Sequence, residues 1–228
     1  MARPISRTDY DGVRIYSAAL LFIYDFLIMK VLTPYVWRCH PKNFQNLYLR
    51  LMSRNHADIG VGTGYFLDRC RYQPGQVRIG LFDLQKNCLD YTARRLARFQ
   101  PETYRCNALS PIRIGGERFD SIGLGGILHC IPGDMAEKGV VFDSIRPIMK
   151  ANARVFGYTI LNQGIEKTRL SRLVFFALQK LKVINGLHDS ANQLSAELKK
   201  RFRICEVEVI GCIAIFIAHS PIPSKASF

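Results

Sequence analysis

The sequence predicts an α/β fold with a mostly parallel, seven-stranded sheet. Short apolar runs alternate with segments of helical spacing through the middle of the chain, and a glycine-rich turn follows the first run. The last two runs are separated by a tight turn at Gly211, which predicts an antiparallel hairpin at the sheet edge. A length of 228 residues fits one domain, 46–228, preceded by a helical segment, 1–45.

The N-terminal segment begins with a predicted helix over 13–30, followed by an aromatic, turn-rich stretch and a second helix over 43–52. The apolar run at 18–32 is shorter than a membrane-spanning helix, and Asp25 and Lys30 interrupt it. A buried helix is therefore predicted, and peripheral contact with a membrane surface stays open as the alternative.

Five strands are predicted before the C-terminal hairpin. The first, second and fourth of them end near a glycine or an acidic residue. They cover 56–60, 78–83, 103–107, 119–124 and 154–161. Helices are predicted to begin near Gly64 and to cover 85–99 and 133–150. The tail is predicted to be mostly helical over 163–200, with a break at 185–186, before the hairpin strands 203–209 and 212–218.

Composition restricts the class of protein. Lys and Arg number 32 against 18 Asp and Glu, a net charge of +14 that favours anionic partners. The excess is spread along the chain, so it predicts solvated helix faces before a binding patch, and we do not expect a nucleic-acid partner. The seven cysteines are odd in number and form no CxxC pair, which predicts neither a disulfide framework nor a zinc site. With no signal peptide recognisable, a reduced cytoplasmic compartment is expected.

The glycine-rich turn is the strongest chemical signal. Gly60, Gly62 and Gly64 at alternate positions let the backbone turn tightly and let a ligand lie against it. Asp58, before the first glycine, suits an amino-bearing or cationic cofactor better than a pyrophosphate. Asp83, at the end of the next predicted strand, is placed to accept both hydroxyls of a ribose.

With these motifs, the chain resembles the class I S-adenosylmethionine-dependent methyltransferases, which have a Rossmann-like fold, over residues 54–218. The glycine loop resembles the first motif of that family, 82–84 the second, and 106–109 the segment near the adenine. The resemblance implies S-adenosyl-L-methionine as cofactor. It implies these binding residues: Asp58, Gly60, Gly62 and Gly64 for the methionine end, Asp83 for the ribose, and Leu84, Asn107 and Ala108 for the adenine. Asn107 replaces the customary acid, and its amide oxygen can still accept a hydrogen bond.

The methyl acceptor is predicted to be a small apolar or aromatic molecule. The chain lacks the Asn/Asp-Pro-Pro-Tyr/Phe motif of nucleobase methyltransferases, and 128–131 resembles small-molecule enzymes of secondary metabolism. O-methylation is slightly favoured. His129 follows strand four and is the candidate general base. Tyr16, Tyr24 and Trp37 are candidate substrate-binding residues, because N-terminal segments in this family commonly form a lid. Asp120 stands alone, so no metal is expected.

Two alternative functions and the placement of one apolar stretch remain open at this stage. A cyclase or pericyclase of the same fold would keep the glycine loop and Asp83 while transferring no methyl group. An RNA or protein methyltransferase is suggested by the positive charge. The apolar stretch 173–178 is predicted to pack on the sheet, to line a substrate pocket or to form a homodimer interface.

Overall fold

The computed structural model describes residues 25–223, so Tyr16, Tyr24 and most of the predicted helix over 13–30 lie outside the described residues. The described chain enters a π-helix, Leu27–Val36, and then helix α1, Pro41–Leu51. Pro41 occupies the first turn of α1, where its missing N–H costs nothing, and the His40 imidazole accepts from the backbone N–H of Lys42 at 3.1 Å. The predicted second helix is therefore confirmed.

Seven strands form one sheet, as predicted. They are β1 (Asn55–Ile59), β2 (Arg78–Asp83), β3 (Glu102–Arg105), β4 (Phe119–Gly125), β5 (Met149–Ile160), β6 (Phe202–Ile210) and β7 (Ile213–Pro221). Their order across the sheet is β3-β2-β1-β4-β5-β7-β6. Among these seven described strands, β7 is the one whose direction is opposite to that of the other six, and it pairs antiparallel with β5 and β6. The turn between β6 and β7 requires Gly211, whose φ is +60° and whose missing side chain leaves room for the Trp37 carbonyl.

The remaining helices correct two predictions. They are α2 (Lys86–Arg95), α3 (Met135–Lys138), α4 (Val140–Ser144), α5 (Arg169–Lys180) and α6 (Ala191–Lys199). The helix predicted near Gly64 is wrong: only a 3-10 turn, Leu67–Arg69, forms there, because the chain soon turns at Pro74 and Gly75. The single helix predicted over 133–150 is also wrong, since it divides at Gly139 and β5 already begins at Met149.

Side chains from alternate strand positions fill two cores, one on each face of the sheet. On β5, Phe156 packs with α1 and the π-helix, while Val155 packs with α4 and α6 on the other face. Ile215 and Phe216 divide in the same way on β7. When helices cover both faces of a parallel sheet, the carboxyl ends of its strands stay accessible. A ligand site is expected at these strand ends.

Within the part of the chain that the structure describes, no helix has both the length and the apolar character needed to cross a membrane.

Candidate functional site

A cavity of about 290 Å³ lies at the carboxyl ends of β1, β2, β4 and β5. Every described site residue that the sequence predicted lines this cavity: Trp37, Asp58, Gly60, Gly62, Gly64, Asp83, Leu84, Asn107, Ala108 and His129. Residues far apart in the chain are thus brought around one space, which is the arrangement a binding site needs.

The glycine loop turns with positive φ at all three glycines, +73° at Gly60, +52° at Gly62 and +66° at Gly64. A Cβ on Gly60 would lie 2.8 Å from the Ile127 side chain, and one on Gly64 would lie 2.6 Å from Thr92. A Cβ on Gly62 would meet no atom within 4 Å. The outer glycines therefore permit close packing, whereas Gly62 leaves backbone exposed to open volume that a ligand can occupy.

Asp83 lies at the last position of β2, beside this loop. One carboxylate oxygen accepts from the Gln85 backbone N–H at 2.8 Å, and the other lies 3.5 Å from the Gly62 backbone nitrogen. The Val61 backbone also hydrogen-bonds to this carboxylate. Burial raises the pKa of the Asp83 carboxyl to about 6. The N-cap of α2 is Gln85, so Asp83 does not cap that helix. Its second oxygen keeps lone pairs for a donor such as a ribose hydroxyl, so the residue fits the predicted group.

Asp58 is buried, and two side chains hold its carboxylate. Its carboxylate accepts from the Tyr48 hydroxyl at 2.8 Å, and the His56 Nε2 lies 3.4 Å from the same oxygen. The other ring nitrogen of His56 lies 2.8 Å from the Ser121 hydroxyl. A Cβ on Gly123 would lie 2.5 Å from the Asp58 oxygen, so a glycine is required there. Sequence reasoning missed Tyr48; its only signal is its place on the buried face of α1.

The loop after β3 supplies two more of the predicted cofactor residues, Asn107 and Ala108. The Asn107 side-chain oxygen accepts from the Leu109 backbone N–H at 3.0 Å, which fixes the turn and leaves one lone pair of that oxygen. The Cys106 N–H donates to the Asp83 carbonyl at 3.0 Å and ties this loop to the end of β2. Ala108 is nearly buried in the cavity wall. We call Asp58, Gly60, Gly62, Asp83 and Asn107 the polar end of the cavity.

The N-terminal segment is attached to the glycine loop through an ion pair that the sequence did not reveal. The Asp25 carboxylate accepts from the Thr63 hydroxyl at 2.5 Å and from the Arg95 guanidinium at 2.6 Å. Arg95 also donates to the Thr63 carbonyl at 3.0 Å and to Asp68 at 3.2 Å. Thr63 lies between two of the loop glycines, so the start of the described chain holds the loop from outside.

A second group of residues that line the cavity is apolar. We call this the apolar end and define it by Ile28, Met29, Leu32, Trp37, Leu178 and Val183. Trp37 is buried and packs edge-on against Phe175, with ring centroids 4.7 Å apart. In the stretch 173–178, Leu178 lines the cavity while Leu173 and Phe176 are exposed. Part of that stretch therefore faces the pocket, and a homodimer through the exposed part stays a prediction.

Comparison with known proteins assigns the family. The demethylluteothin O-methyltransferase of Streptomyces thioluteus is 33% identical over 94% of this chain and 93% of its own length. The chain belongs to the S-adenosylmethionine-dependent methyltransferases of secondary metabolism. The physcion biosynthesis cluster O-methyltransferase of Aspergillus chevalieri is 31% identical to this methyltransferase, over 92% of the chain and 95% of its own length. No protein-family model matches the sequence.

A solved structure agrees on the fold of the methyltransferase. The complex of DhpI with SAH superposes with a TM-score of 0.65, over 96% of this chain and all of that one, at 14% identity. Among residues 25–223, no three His, Cys, Asp or Glu side chains form a group that could hold a metal ion. Independence from metal remains a prediction.

Proposed function

We propose that this methyltransferase binds S-adenosylmethionine at the polar end of its cavity and O-methylates a small apolar or aromatic metabolite at the apolar end. The observation that carries the proposal is the shared cavity itself. Its polar end has the Asp83 carboxylate beside an uncovered glycine backbone, and its apolar end has aliphatic and indole side chains. The names of two relatives refer to O-methylation, in one case of demethylluteothin, and we extend only the class of reaction and substrate.

The cofactor supplies an electrophilic methyl group on a sulfonium; the protein has to bind and orient the two partners. Asp83 would accept the ribose hydroxyls, Asp58 would attract the amino group, and Asn107, Ala108 and Leu84 would surround the adenine. Tyr48 holds Asp58 in place, since its hydroxyl donates to that carboxylate. Apolar walls exclude water and leave the attacking oxygen poorly solvated, which favours its reaction.

A methyl-transfer assay tests this function. Purified protein and S-adenosylmethionine are incubated with a panel of small hydroxylated aromatic compounds, and products are scored by mass. The expected result is the gain of one methyl group together with release of S-adenosylhomocysteine. The Asp83→Ala variant is the matched negative control. A product of unchanged mass, formed only in the presence of the cofactor, would contradict the proposal and favour the cyclase alternative.

A further inference from the structure

Helix α5 carries apolar side chains on two sides. On its inner side, Phe175 is buried and packs against Trp37, and Leu178 lines the cavity. Its outer side is exposed to solvent and is also apolar. We call this side the outer face of α5 and define it by four side chains with exposed fractions of 49% to 66%: Leu170, Leu173, Phe176 and Leu181. The first three are three residues apart and so lie along one side of the helix.

Cationic side chains lie among these apolar groups. Arg169 stands four residues before Leu173, about one helical turn away. Arg172 and Lys180 stand four residues before and after Phe176. All three cations are exposed, and the Lys180 ammonium lies 5.3 Å from the centre of the Phe176 ring. The outer face of α5 is therefore both apolar and positively charged.

The π-helix that packs beside α5 has the same character. The Ser171 hydroxyl on α5 donates to the Val36 carbonyl of the π-helix at 2.6 Å, which joins the two elements. Exposed apolar side chains recur on the π-helix at every fourth residue: Leu27, Val31 and Tyr35. The π-helix contains one basic residue, Lys30, which is exposed, and no acidic residue. Two adjoining elements thus present apolar and cationic groups to the surroundings.

A second copy of this chain fits the outer face of α5 poorly. A symmetric dimer brings the same patch of both chains together, so the cations of one chain would meet those of the other. The segment 169–182 contains four basic residues and no acidic residue that could compensate them. Like charges placed together across an interface are unfavourable. A negatively charged, partly apolar surface satisfies both kinds of group.

We propose that the outer face of α5 docks on the surface of a membrane that contains anionic phospholipids. The helix has only 12 residues, so it would lie along the surface, with Leu173 and Phe176 at the boundary between headgroups and acyl chains. The flexible stems of Arg169 and Lys180 would let their charges reach lipid phosphates.

This docking goes beyond the proposed function and does not depend on it. The inner side of the same helix contributes Leu178 to the apolar end of the cavity. Apolar molecules concentrate in the hydrocarbon of a bilayer, because their transfer from water is favourable. Docking would therefore bring the enzyme to the phase in which apolar acceptors accumulate.

Sedimentation with lipid vesicles tests the docking and requires no turnover. The unaltered protein is mixed with vesicles of phosphatidylcholine alone, or with vesicles in which about one quarter of the lipid is phosphatidylserine. We expect binding to the anionic vesicles to be at least about tenfold stronger and to weaken as salt is added, because several cations act together. Equal binding to the two kinds of vesicle, or binding to neither, would overturn the proposal.

A double variant tests the apolar part of the outer face without changing any charge. Leu173→Gln with Phe176→Gln should weaken binding to the anionic vesicles by about tenfold or more, through lost apolar contact. The matched control is Ile204→Gln with Val209→Gln, because both side chains are exposed apolar groups on β6. The control should change binding by less than about twofold. Equal losses in the two double variants would overturn the proposal.

A second double variant tests the charges. Arg169→Gln with Lys180→Gln should weaken binding to the anionic vesicles by about tenfold or more, since one cation near such a surface contributes about fivefold. Lys199→Gln with Arg203→Gln removes two exposed cations from α6 and β6 and is the control. Equal losses in the two pairs would mean that only the net charge of the chain matters, which would overturn the assignment of this face.

Sedimentation velocity without vesicles tests the competing occupant, a second copy of the chain. We expect the unaltered protein and the Leu173→Gln, Phe176→Gln variant to have the same oligomeric state. A dimer that dissociates in this variant would assign the outer face of α5 to a second copy and overturn the proposal.

Discussion

The two ends of the cavity differ in how they are built. The polar end comes from three consecutive strand–loop units, and its side chains are fixed by backbone N–H groups, hydroxyls and glycines with positive φ. The apolar end comes from the π-helix, α5 and the loop after α5, and its contacts are non-directional. Because hydrogen bonds are directional, the polar end is suited to one ligand. The apolar end, whose contacts are non-directional, is suited to a class of ligands. A change at one end should leave the function of the other intact.

The largest expected effect is at Asp83. Removing its carboxylate in Asp83→Ala takes away the partner of two ribose hydroxyls and should weaken S-adenosylhomocysteine binding by about a hundredfold or more. Asp90→Ala is the matched control, because Asp90 is an exposed acid on α2 that pairs only with Lys86 among the described ion pairs. Calorimetric titration measures both. Similar affinities in the two variants would remove the ribose assignment.

Alanine variants at Gly62 and Gly75 distinguish the cost of backbone strain from the loss of space for a ligand. Both have positive φ and both would place a Cβ where no atom lies within 4 Å, but only Gly62 lines the cavity. Alanine at either position should therefore cost about 1–2 kcal/mol of stability, which thermal unfolding reports. Only Gly62→Ala should also weaken cofactor binding, by about tenfold or more, because its methyl group occupies the ligand's space. Equal affinity in both variants would mean that no ligand lies against the loop.

Acidification should weaken cofactor binding through Asp83. Its folded-state pKa of about 6 lies above the ordinary value of an aspartate, so the empty site takes up a proton as the pH falls below about 6. Ribose hydroxyls need the ionised carboxylate, so affinity should be level above that pH and fall below it by up to about tenfold per pH unit. The same shift makes the cofactor-free protein less stable as the pH rises from about 4 to about 6.

Titrations of S-adenosylhomocysteine across this range provide the check, with Asp83→Asn as the comparison. The amide does not titrate, so its weaker binding should lose the dependence. An unchanged pH profile in the variant would place the titrating group elsewhere.

The smallest effect on cofactor affinity is expected at the apolar end. Leu178 and Leu173 lie on the same helix, α5, but Leu178 lines the cavity and Leu173 is exposed. Leu178→Ala should raise the KM of a turned-over acceptor several-fold, through lost apolar contact, and leave cofactor affinity within about twofold. Leu173→Ala should change neither. Weakened cofactor binding in Leu178→Ala would show that the two ends are coupled.

The same difference explains what could be predicted from the sequence. Asp58, the glycines and Asp83 are separated by single strands and turns, so local spacing was enough to place them together. Tyr48 and Asp25 reach the site through tertiary contacts that no spacing reveals. The helix expected after Gly64 failed because Pro74 and Gly75 end the segment early. The residue His129 was found from its place after β4, but the hydrogen bond that its ring accepts from the Ile160 N–H of a neighbouring strand could not be predicted.

The most direct test of the account is titration of the unaltered protein with S-adenosylmethionine and S-adenosylhomocysteine. The account predicts that both bind in the micromolar range, with one site per chain, because the polar end is already formed by the fold. Absence of binding by either ligand would contradict it, since no other part of the described cavity offers the same carboxylates beside an uncovered glycine loop.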